Sequence, residues 1–354
     1  MRVLHVDSAA TWRGGQNQVL LSARGMAARG HDVLLACRAG GMLESRARDQ
    51  GVAVAPLGFR GDLAPGALLG LRHLARHFRP DVIHLHDPHA VAAGLLPGTD
   101  GLRVASRRVD FPLRGALSRW KYARCRRVIA VSRAVAEVLA RDGLDPDRVR
   151  VVYEGVADRA PAAGGREALR ALGVPDGAPV VGNVAALTDH KDHATLLAAA
   201  GELVRRLPEA RIVIVGEGER RPALEKTIAA TGLAAHVLLA GFRTDLDALI
   251  PAFDVFCLSS QMEGLGTSLL DAMCFARPVV ATAAGGIPEA VEDGVTGVVV
   301  PRQDPHALAE ALLRVLSDPV ARERMGRAAR ERFLARFSAD RMVEATLAVY
   351  AEGA

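Results

Sequence analysis

Short apolar runs rich in Val and Ile alternate along the chain with longer Ala- and Leu-rich stretches whose apolar residues recur with helical spacing. This alternation is typical of a parallel β-sheet with helices on both faces. In the first half it predicts strands at 3–7, 32–37, 52–57, 82–86, 104–106, 128–131 and 149–153, and helices that include 16–29 and 67–78.

The pattern stops in a small-residue stretch at 159–165 and then restarts. Its Ala, Pro and Gly residues offer little to pack, so the stretch is predicted to be a linker. Beyond it, strands are expected at 180–184, 211–215, 237–240, 255–258, 278–281 and 297–300, and the clearest helix is expected at 192–206. A final helix is predicted to begin at Ser338, a suitable N-cap residue.

These elements predict three parts: an N-terminal Rossmann-like domain at 1–160, a C-terminal Rossmann-like domain at 161–337, and a C-terminal helix at 338–354 that returns to the first domain. Two doubly wound sheets in tandem would place their ligand loops on opposite walls of one cleft. We therefore look for chemistry in the loops that follow the strands.

Composition excludes several classes of protein. The chain has 354 residues, 50% of them hydrophobic, with a formal net charge of +5, so it is neither disordered nor collagen-like. Its four cysteines (Cys37, Cys125, Cys257 and Cys274) form no C-x-x-C pair, which favours a reducing cytoplasm over a disulfide scaffold or zinc knuckle. The N-terminus reads as a strand rather than a signal peptide, and no apolar window of about 20 residues occurs. We expect a cytoplasmic protein without a membrane span.

The most informative stretch is 259–273, which follows a buried strand and opens a helix near Gly266. Two glycines, Gly264 and Gly266, let backbone N–H groups approach an anion at this strand-to-helix turn, and the helix N-terminus adds positive potential. Glu263 and Asp271 flank the turn. The arrangement predicts a diphosphate site flanked by two carboxylates, which would hold a nucleotide sugar by its two ends.

An E-G-x-G sequence followed by an acid eight residues after Glu263 resembles the E-x7-E motif of retaining GT-B glycosyltransferases, the glycosyltransferase family 4 group. Other pieces stand in the family's order: the Gly14-Gly15 turn, the strand 81–86, Ala130-Val131-Ser132, Lys191, Val215-Gly216-Glu217-Gly218, Gly285-Gly286-Ile287-Pro288-Glu289 and the helix ending at Tyr350. The resemblance implies two Rossmann-like domains facing each other across a cleft, a nucleoside-diphosphate sugar as donor, and neither metal nor cofactor.

The resemblance also implies roles for single residues. Glu263 would contact the donor sugar and support its developing positive charge, and Asp271 would hold the ribose. The family normally has Glu at the second place, so Asp271 reaches about 1.5 Å less far. The diphosphate is expected at Gly15, Lys191, Gly264, Leu265, Gly266 and Thr267. The alternatives are a solvated loop acid for Glu263, a first-turn acid favouring its own helix dipole for Asp271, and an ordinary exposed lysine for Lys191.

The family usually pairs Lys191 with an Arg five residues upstream, but this chain has Ala186 there. Backbone N–H groups, or another cation such as Arg13 or Arg243, would then have to compensate. Phe242 and Arg243 match the loop beside the nucleobase, although core packing is an equal alternative for Phe242. Glu289 resembles an acid of the donor site, or else caps the following helix.

His84, His86 and His89 cluster at the end of a predicted strand. The resemblance makes His86 the catalytic histidine that approaches the donor sugar or acceptor, and the alternative is a hydrogen-bonded core histidine. A metal site is not expected, because the set has no acid beside it.

Two further motifs suggest other chemistries. Gly216 and Gly218 begin a dinucleotide-like fingerprint, but Arg221 occupies the third glycine's place, so NAD binding is not expected. The two D-x-D triplets, at 145–147 and 245–247, are better explained by helix capping than by metal binding.

A strongly basic segment runs from 107 to 133, with Phe111, Trp120 and Tyr122 interleaved. A solvated basic face is the default interpretation, and peripheral contact with an anionic membrane is the functional one. The residues proposed for that contact are Arg107, Arg108, Arg114, Arg119, Lys121, Arg124, Arg126 and Arg127. Nucleic acid is not an expected partner, since no recognised module occurs.

Together with the resemblance, these features predict a retaining, metal-independent glycosyltransferase that transfers a sugar from a nucleoside-diphosphate sugar to a hydroxyl of a cell-envelope glycan or lipid. The predicted location is the cytoplasm, with contact at the inner face of the membrane as the functional interpretation of the basic segment. Two rivals stay open. One is a nucleotide-sugar epimerase or glycan phosphorylase on the same frame, and the other is a non-catalytic nucleotide-sugar binding protein.

Overall fold

The computed structural model describes residues 1–59, 65–96, 98–113 and 115–353. The chain divides into two compact units, and the last residues belong to the first of them. Unit 1 comprises Met1–Ala157 and Ser338–Ala354, and unit 2 comprises Asp158–Phe337.

Unit 1 is built on a seven-stranded parallel sheet whose strand order is β3-β2-β1-β4-β5-β6-β7. The strands are β1 (Arg2–Asp7), β2 (Asp32–Arg38), β3 (Val54–Leu57), β4 (Val82–Leu85), β5 (Leu102–Arg107), β6 (Arg127–Ala130) and β7 (Val149–Val151). The helices between them are α1 (Gly14–Ala27), α2 (Met42–Asp49), α3 (Pro65–Phe78), α4 (Pro88–Gly94), α5 (Gly115–Ala123) and α6 (Arg133–Arg141).

Unit 2 repeats the plan with six parallel strands in the order β10-β9-β8-β11-β12-β13. The strands are β8 (Val180–Val184), β9 (Arg211–Val215), β10 (Val237–Gly241), β11 (Val255–Leu258), β12 (Val279–Thr282) and β13 (Gly297–Val300). The helices are α7 (Gly165–Ala171), α8 (His193–Arg206), α9 (Arg221–Ala230), α10 (Leu246–Leu249), α11 (Thr267–Cys274), α12 (Ile287–Ala290), α13 (Pro305–Ser317) and α14 (Pro319–Arg336).

The last helix, α15 (Ala339–Gly353), packs against α1 and β5 of unit 1. Ser338 accepts a hydrogen bond from the Arg341 N–H at 3.3 Å, which confirms it as the N-cap. Tyr350 is fully buried in the apolar cluster that also contains Val19 and Met342. No helix in the described part of the chain has the length and apolar character that a membrane crossing requires.

The predicted strands lie within two residues of their observed bounds. Central strands such as β4, β11 and β12 are buried along their whole length, whereas the outer strands β3 and β7 are only partly buried. The predicted linker at 159–165 is different from expectation. Gly165 already begins α7, and a Cβ there would lie 2.1 Å from the carbonyl oxygen of Ala248, so the end of the stretch is packed closely within unit 2. Residues 160–164 are exposed, and the Ala162 N–H donates to the Asp247 carbonyl at 2.8 Å.

Candidate functional site

The order of strands identifies a ligand position in unit 2. Chain order reverses between β8 and β11, which are hydrogen-bonded neighbours in the sheet. The loops that follow these two strands therefore leave the sheet in opposite directions and open a crevice at its carboxyl edge, where doubly wound folds bind ligands. The loop after β8 carries Lys191, and the loop after β11 carries Glu263.

The side chains of Lys191 and Glu263 form an ion pair at this position. They are 17% and 13% exposed, and the Ser260 hydroxyl donates a second hydrogen bond to Glu263 Oε2 at 3.2 Å. Neither residue is the solvated surface group that its alternative interpretation described. The structure thus brings together two predicted site residues that lie 72 positions apart.

Backbone contacts fasten the two loops to each other. The Ser259 hydroxyl donates to the carbonyl oxygens of Lys191 and Asp192 at 3.1 and 3.0 Å, and the Gln261 N–H donates to the His190 carbonyl at 2.8 Å. Asp192 follows Lys191 with a left-handed φ of +48°, a strained conformation for a residue other than glycine. Its carboxylate accepts from Thr195 N and Oγ1 and so caps α8.

The predicted diphosphate position lies at the start of α11. Gly266 has φ +90°, a backbone conformation that favours glycine, and a Cβ there would also lie 2.8 Å from Leu269 Cδ2. Gly264 and Leu265 are buried beside it, and Thr267 is the first helical residue. Backbone N–H groups at this helix start provide a field that favours an anion.

Asp271 lies one turn into α11 and is paired with Arg159. Burial raises the pKa of Asp271 to about 6, the Arg159 guanidinium opposes that rise, and the neighbouring charge of Asp247 adds to it. The alternative interpretation, in which Asp271 only complements the dipole of its own helix, does not include Arg159. It is therefore incomplete, because Arg159 is the main partner of Asp271. No motif pointed to Arg159, which lies in the predicted linker.

The Gly216–Gly218 turn after β9 supports the Lys191 loop. A Cβ on Gly216 would lie 1.9 Å from the Ala185 carbonyl oxygen, and one on Gly218 would lie 2.3 Å from that of Leu187. The Leu187 N–H donates to the Glu217 carbonyl at 2.9 Å, and the Leu187 carbonyl accepts from the Arg220 N–H at 3.0 Å. These glycines permit a close approach of two loops, which explains a glycine pattern that resembles a dinucleotide fingerprint.

The residues predicted for the nucleobase lie after β10. Phe242 is 68% exposed, which excludes the alternative that it packs in the core. Arg243 donates to Asp245 through Nε at 2.9 Å and NH2 at 2.5 Å, so its guanidinium is engaged locally. The D-x-D interpretation needs one correction: Asp145 caps a short 3-10 turn as expected, whereas Asp245 makes no side-chain cap and pairs with Arg243.

Unit 1 has its own reversal of strand order, between β1 and β4. His86 follows β4 there and is 6% exposed. Its Nδ1 lies 3.0 Å from Arg108 NH2 and its Nε2 lies 2.8 Å from His5 Nδ1. Because Arg108 can only donate, His86 Nδ1 accepts that hydrogen bond. The proton of the neutral ring is then on Nε2, which donates to His5 Nδ1. His86 is therefore arranged as the alternative interpretation describes, as a hydrogen-bonded core histidine. Contact between His86 and a sugar stays a prediction, and it would require the ring to lose one of its two hydrogen bonds.

No motif in the sequence points to His5. It lies on β1 directly opposite His84 in the parallel register, so only strand pairing reveals it. His84 is bonded to the Tyr350 hydroxyl at 2.6 Å and to the Ser106 hydroxyl at 2.7 Å. Burial lowers the pKa of His5 to about 3 and those of His84 and His86 well below 6.5.

Three neutral imidazoles with ring nitrogens within 4.8 Å of one another could in principle hold a metal ion. The hydrogen bonds of His84 and His86 use both nitrogens of each ring, and the Arg108 cation lies beside the group. This donor set does not fit a metal, since its lone pairs are engaged and a cation is adjacent. Metal independence itself stays a prediction.

Unit 1 contains one further predicted site residue, Gly15, and a buried acid, Asp7, that was not predicted. Gly15 lies in α1, and a Cβ added to it would be 3.7 Å from Arg108 Cδ, which is an ordinary contact distance. Asp7, at the end of β1, accepts from Gln16 Nε2 at 3.2 Å and from the Ala9 N–H at 3.0 Å. Burial, with repulsion from Asp87, raises the pKa of Asp7 to about 6.

The basic segment divides into buried and exposed members. Arg107 donates to the Phe111 carbonyl, Arg108 bonds His86 and Glu154, and Arg127 lies near Glu352 with 12% of its side chain exposed. The prediction that these three contact a membrane is wrong, because their guanidinium groups are used inside unit 1. Lys121 is half-buried, Arg119, Arg124 and Arg126 are exposed, and Arg114 lies outside the described residues.

Two doubly wound parallel sheets, each with candidate ligand loops at its point of reversal, define the GT-B class of glycosyltransferase. The chain matches the sequence models of Glycosyl transferases group 1 over residues 166–332 and Glycosyltransferase Family 4 over residues 12–159. The chain belongs to this family of glycosyltransferases.

Curated relatives agree with this assignment. The chain is 29% identical over 283 residues to the lipopolysaccharide core biosynthesis glycosyltransferase LpsE of Rhizobium meliloti (strain 1021), covering 80% of this chain and 79% of the relative. It is 31% identical to the 2-deoxystreptamine N-acetyl-D-glucosaminyltransferase of Streptomyces fradiae, covering 75% and 70%. With the D-inositol 3-phosphate glycosyltransferase of Salinispora arenicola (strain CNS-205) it shares 36% identity but spans only 54% of that relative's length.

Solved structures show the same fold. Anabaena HepE in complex with UDP and glucose superimposes with a TM-score of 0.87 at 21% identity, covering 99% of both chains. The sucrose-phosphate synthase of Thermosynechococcus elongatus gives a TM-score of 0.83 at 20% identity, again over 99% of both chains. The fold prediction is confirmed.

Proposed function

We propose that this glycosyltransferase transfers a sugar from a nucleoside-diphosphate sugar to a hydroxyl of a cell-envelope glycan or lipid, with retention of the anomeric configuration and without a metal ion. The observation that carries the proposal is the Lys191–Glu263 pair beside the N-terminus of α11 at the reversal point of the unit 2 sheet. A cation, a helix start and a carboxylate meet there, which suits a diphosphate joined to a sugar.

In this proposal the diphosphate binds the ammonium of Lys191 and the backbone of 264–267, with Gly15 as a further predicted contact. Glu263 faces the sugar, Asp271 accepts hydrogen bonds from the ribose hydroxyls, and Phe242 and Arg243 lie beside the base. The exposed ring of Phe242 is available for stacking on a nucleobase. UDP is the first nucleotide to test, because the Anabaena relative of similar fold is described with UDP.

The proposed reaction needs no protein nucleophile. The bond between the anomeric carbon and the leaving phosphate oxygen breaks on the face where the acceptor oxygen bonds to that carbon. The acceptor's proton passes to the leaving phosphate. Lys191 neutralises the diphosphate charge and the Glu263 carboxylate supports the positive charge on the sugar, so the chain supplies orientation and electrostatic stabilisation.

A thermal-shift screen of the whole chain against UDP, GDP, ADP and their sugar conjugates, with and without EDTA, tests the donor class. A ligand at 100 times its Kd stabilises the folded state by about 2.7 kcal/mol. We expect a selective shift that EDTA leaves unchanged and that Lys191→Ala and Glu263→Gln reduce. Lys226→Ala is a matched control, since Lys226 is an exposed lysine on α9 of the same unit. No shift with any of these ligands would refute the proposal.

Product analysis separates the rivals. An epimerase would change the donor sugar without an acceptor, a phosphorylase would require inorganic phosphate, and a binding protein would shift without turnover. With a transferase, NMR of the product should show the anomeric configuration of the donor, whereas an inverted product would refute retention. LpsE, a lipopolysaccharide core enzyme, supports a start with envelope glycan and lipid acceptors.

We further propose that the enzyme acts in the cytoplasm and contacts the anionic inner face of the membrane through α5. This helix exposes Leu117 and Trp120, 70% and 48% accessible, beside the exposed cations Arg119 and Arg124. Apolar side chains flanked by Arg are suited to a lipid headgroup region. The described cysteines are free thiols, which suits a reducing compartment.

Cosedimentation with vesicles tests this contact. We expect binding to phosphatidylglycerol-containing vesicles, weak binding to phosphatidylcholine alone, and loss of binding in Trp120→Ser with Arg124→Gln. Arg170→Gln, an exposed arginine of unit 2, is the control. Equal binding by the α5 variant and wild type would refute the contact.

A further inference from the structure

The first two residues of unit 2 are held by ion pairs. Arg159 NH1 lies 2.6 Å from Asp247 Oδ1, its NH2 pairs with Asp271 Oδ1, and its guanidinium lies 5.3 Å from the centre of the Phe275 ring. The preceding residue, Asp158, pairs with Arg330 at 2.6 Å. A segment whose sequence suggests a linker therefore places a guanidinium directly on the second acid of the E-x7-E pattern.

This contact bears on what Asp271 can do. Its side chain is 22% exposed and is shorter than the glutamate that its family usually has there. An ionised carboxylate offers both oxygens as acceptors to the ribose hydroxyls, whereas protonation turns one of them into a donor, and in either state the group must face the ribose. Burial acts against ionisation, and the adjacent guanidinium favours it.

We propose that Arg159 is a positioning residue for the nucleoside of the donor, because its guanidinium fixes one oxygen of the Asp271 carboxylate and turns the group toward the ribose. The inference rests on the proposed function, in which Asp271 holds the ribose. Arg159 acts through Asp271 and not on the sugar itself. It supplies the fixed geometry that a short side chain would otherwise lack.

Among the described residues, the charged groups around Asp271 and around the segment that carries Arg159 come from three places. Asp247 comes from α10, Asp158 from the same segment as Arg159, and Arg330 from α14. Arg330 is engaged by Asp158, and Asp247 shares Arg159 with Asp271. Of these, Arg159 and Asp247 act on the ionisation of Asp271, in opposite directions.

The test is the pH dependence of UDP binding, measured by titration calorimetry on the whole chain from pH 5 to 9. If UDP does not bind the wild type, GDP and ADP are used in the same way.

The quantity to follow is the acid limb, the low-pH range in which the Kd rises as Asp271 is protonated. Loss of Arg159 removes a nearby positive charge, so this limb should move up by about one pH unit or more in Arg159→Ala. At neutral pH the Kd should rise about tenfold or more. Arg159→Lys keeps the charge and should restore the midpoint of the limb, though not the full affinity. Asp247→Asn removes a negative charge and should move the limb downward.

Arg330→Gln is the matched control, because Arg330 fastens the same segment through Asp158 without touching Asp271. It should leave the acid limb in place. A Kd profile in Arg159→Ala whose limb does not move would overturn the inference, as would tighter nucleotide binding, which would make Arg159 a competitor of the ribose. If Arg159→Ala does not fold, Arg159→Lys and Asp247→Asn still test the inference. An acid limb that does not move to lower pH in Asp247→Asn would then overturn it. A wild type that binds none of the three diphosphates overturns the proposed function and this inference together, whereas normal wild-type binding with an unmoved limb overturns this inference alone.

Discussion

Gly218→Ala should damage the enzyme through the loop that carries Lys191. The added Cβ would lie 2.3 Å from the Leu187 carbonyl oxygen and 2.7 Å from its carbon, and both are backbone atoms that cannot rotate away. Ordinary contacts begin at 3.4 Å, so the two loops must separate by about 1 Å. That shift also breaks the geometry of the bond from the Arg220 N–H to the Leu187 carbonyl.

Two effects follow from a displacement of this size. Overpacking costs about 1–3 kcal/mol of folding free energy. A misplacement of about 1 Å in a substrate-positioning group lowers turnover by about 10²-fold, and Leu187 is only four residues before Lys191. We expect a lower urea midpoint, and a rate of nucleoside-diphosphate release that falls far more than the loss of folded protein explains.

A matched substitution in the same unit should have the opposite effect. Gly201 lies within α8, and a Cβ there meets nothing within 4 Å. Gly201→Ala should therefore stabilise the helix by about 0.5–1 kcal/mol with unchanged turnover. Wild-type turnover and urea midpoint in Gly218→Ala would refute the reasoning, because they would mean that the loops are not in contact as described.

Three further predictions concern unit 1. Tyr350→Phe leaves the buried His84 Nδ1 without its 2.6 Å partner and should cost about 1–3 kcal/mol in urea unfolding, and an unchanged midpoint would contradict that bond. Folding raises the pKa of Asp7 from 3.8 to about 6. Between these two pH values Asp7 is therefore protonated in the folded state and ionised in the unfolded chain. Wild-type stability relative to Asp7→Asn should fall as pH rises through this window and level off above it, and a rise would show the wrong sign. In Gly155→Ala the new Cβ would lie 2.5 Å from the Ser338 carbonyl oxygen, so hydrogen exchange of α15 should accelerate, and unchanged exchange would refute the close approach.

The sheets could be predicted because their signal is local. Every residue of β4, β11 and β12 is buried, and apart from His84 and Thr282 each strand reads as an apolar run in the sequence. Strand β7 ends at Val151 rather than at 153, although the Val152 N–H still donates to the Ala130 carbonyl of β6 at 3.0 Å. Such ends depend on pairing between strands, which the composition of one strand does not encode.

The site could be predicted only as far as its motifs reach. The family resemblance assigned both Glu263 and Lys191 to the donor site, and the structure brings their side chains together where the strand order reverses. His5 was missed, since a single histidine in an apolar strand reveals nothing until the register sets it opposite His84. The buried use of Arg107 and Arg108 was missed for the same reason, because a run of arginines reads as a solvated face whichever way each side chain points.

Arg159 shows why a motif does not determine the chemistry of its own residues. The pattern around Glu263 fixes where Asp271 lies on α11, but the state of its carboxylate depends on burial, on Asp247 and on a guanidinium that is 112 positions away in sequence. A chain with the same motif and a neutral residue at 159 would carry a more readily protonated acid in the same place. Two enzymes with identical motifs can therefore differ in the pH range over which they hold a nucleotide, and the difference lies in a segment that composition alone describes as a linker.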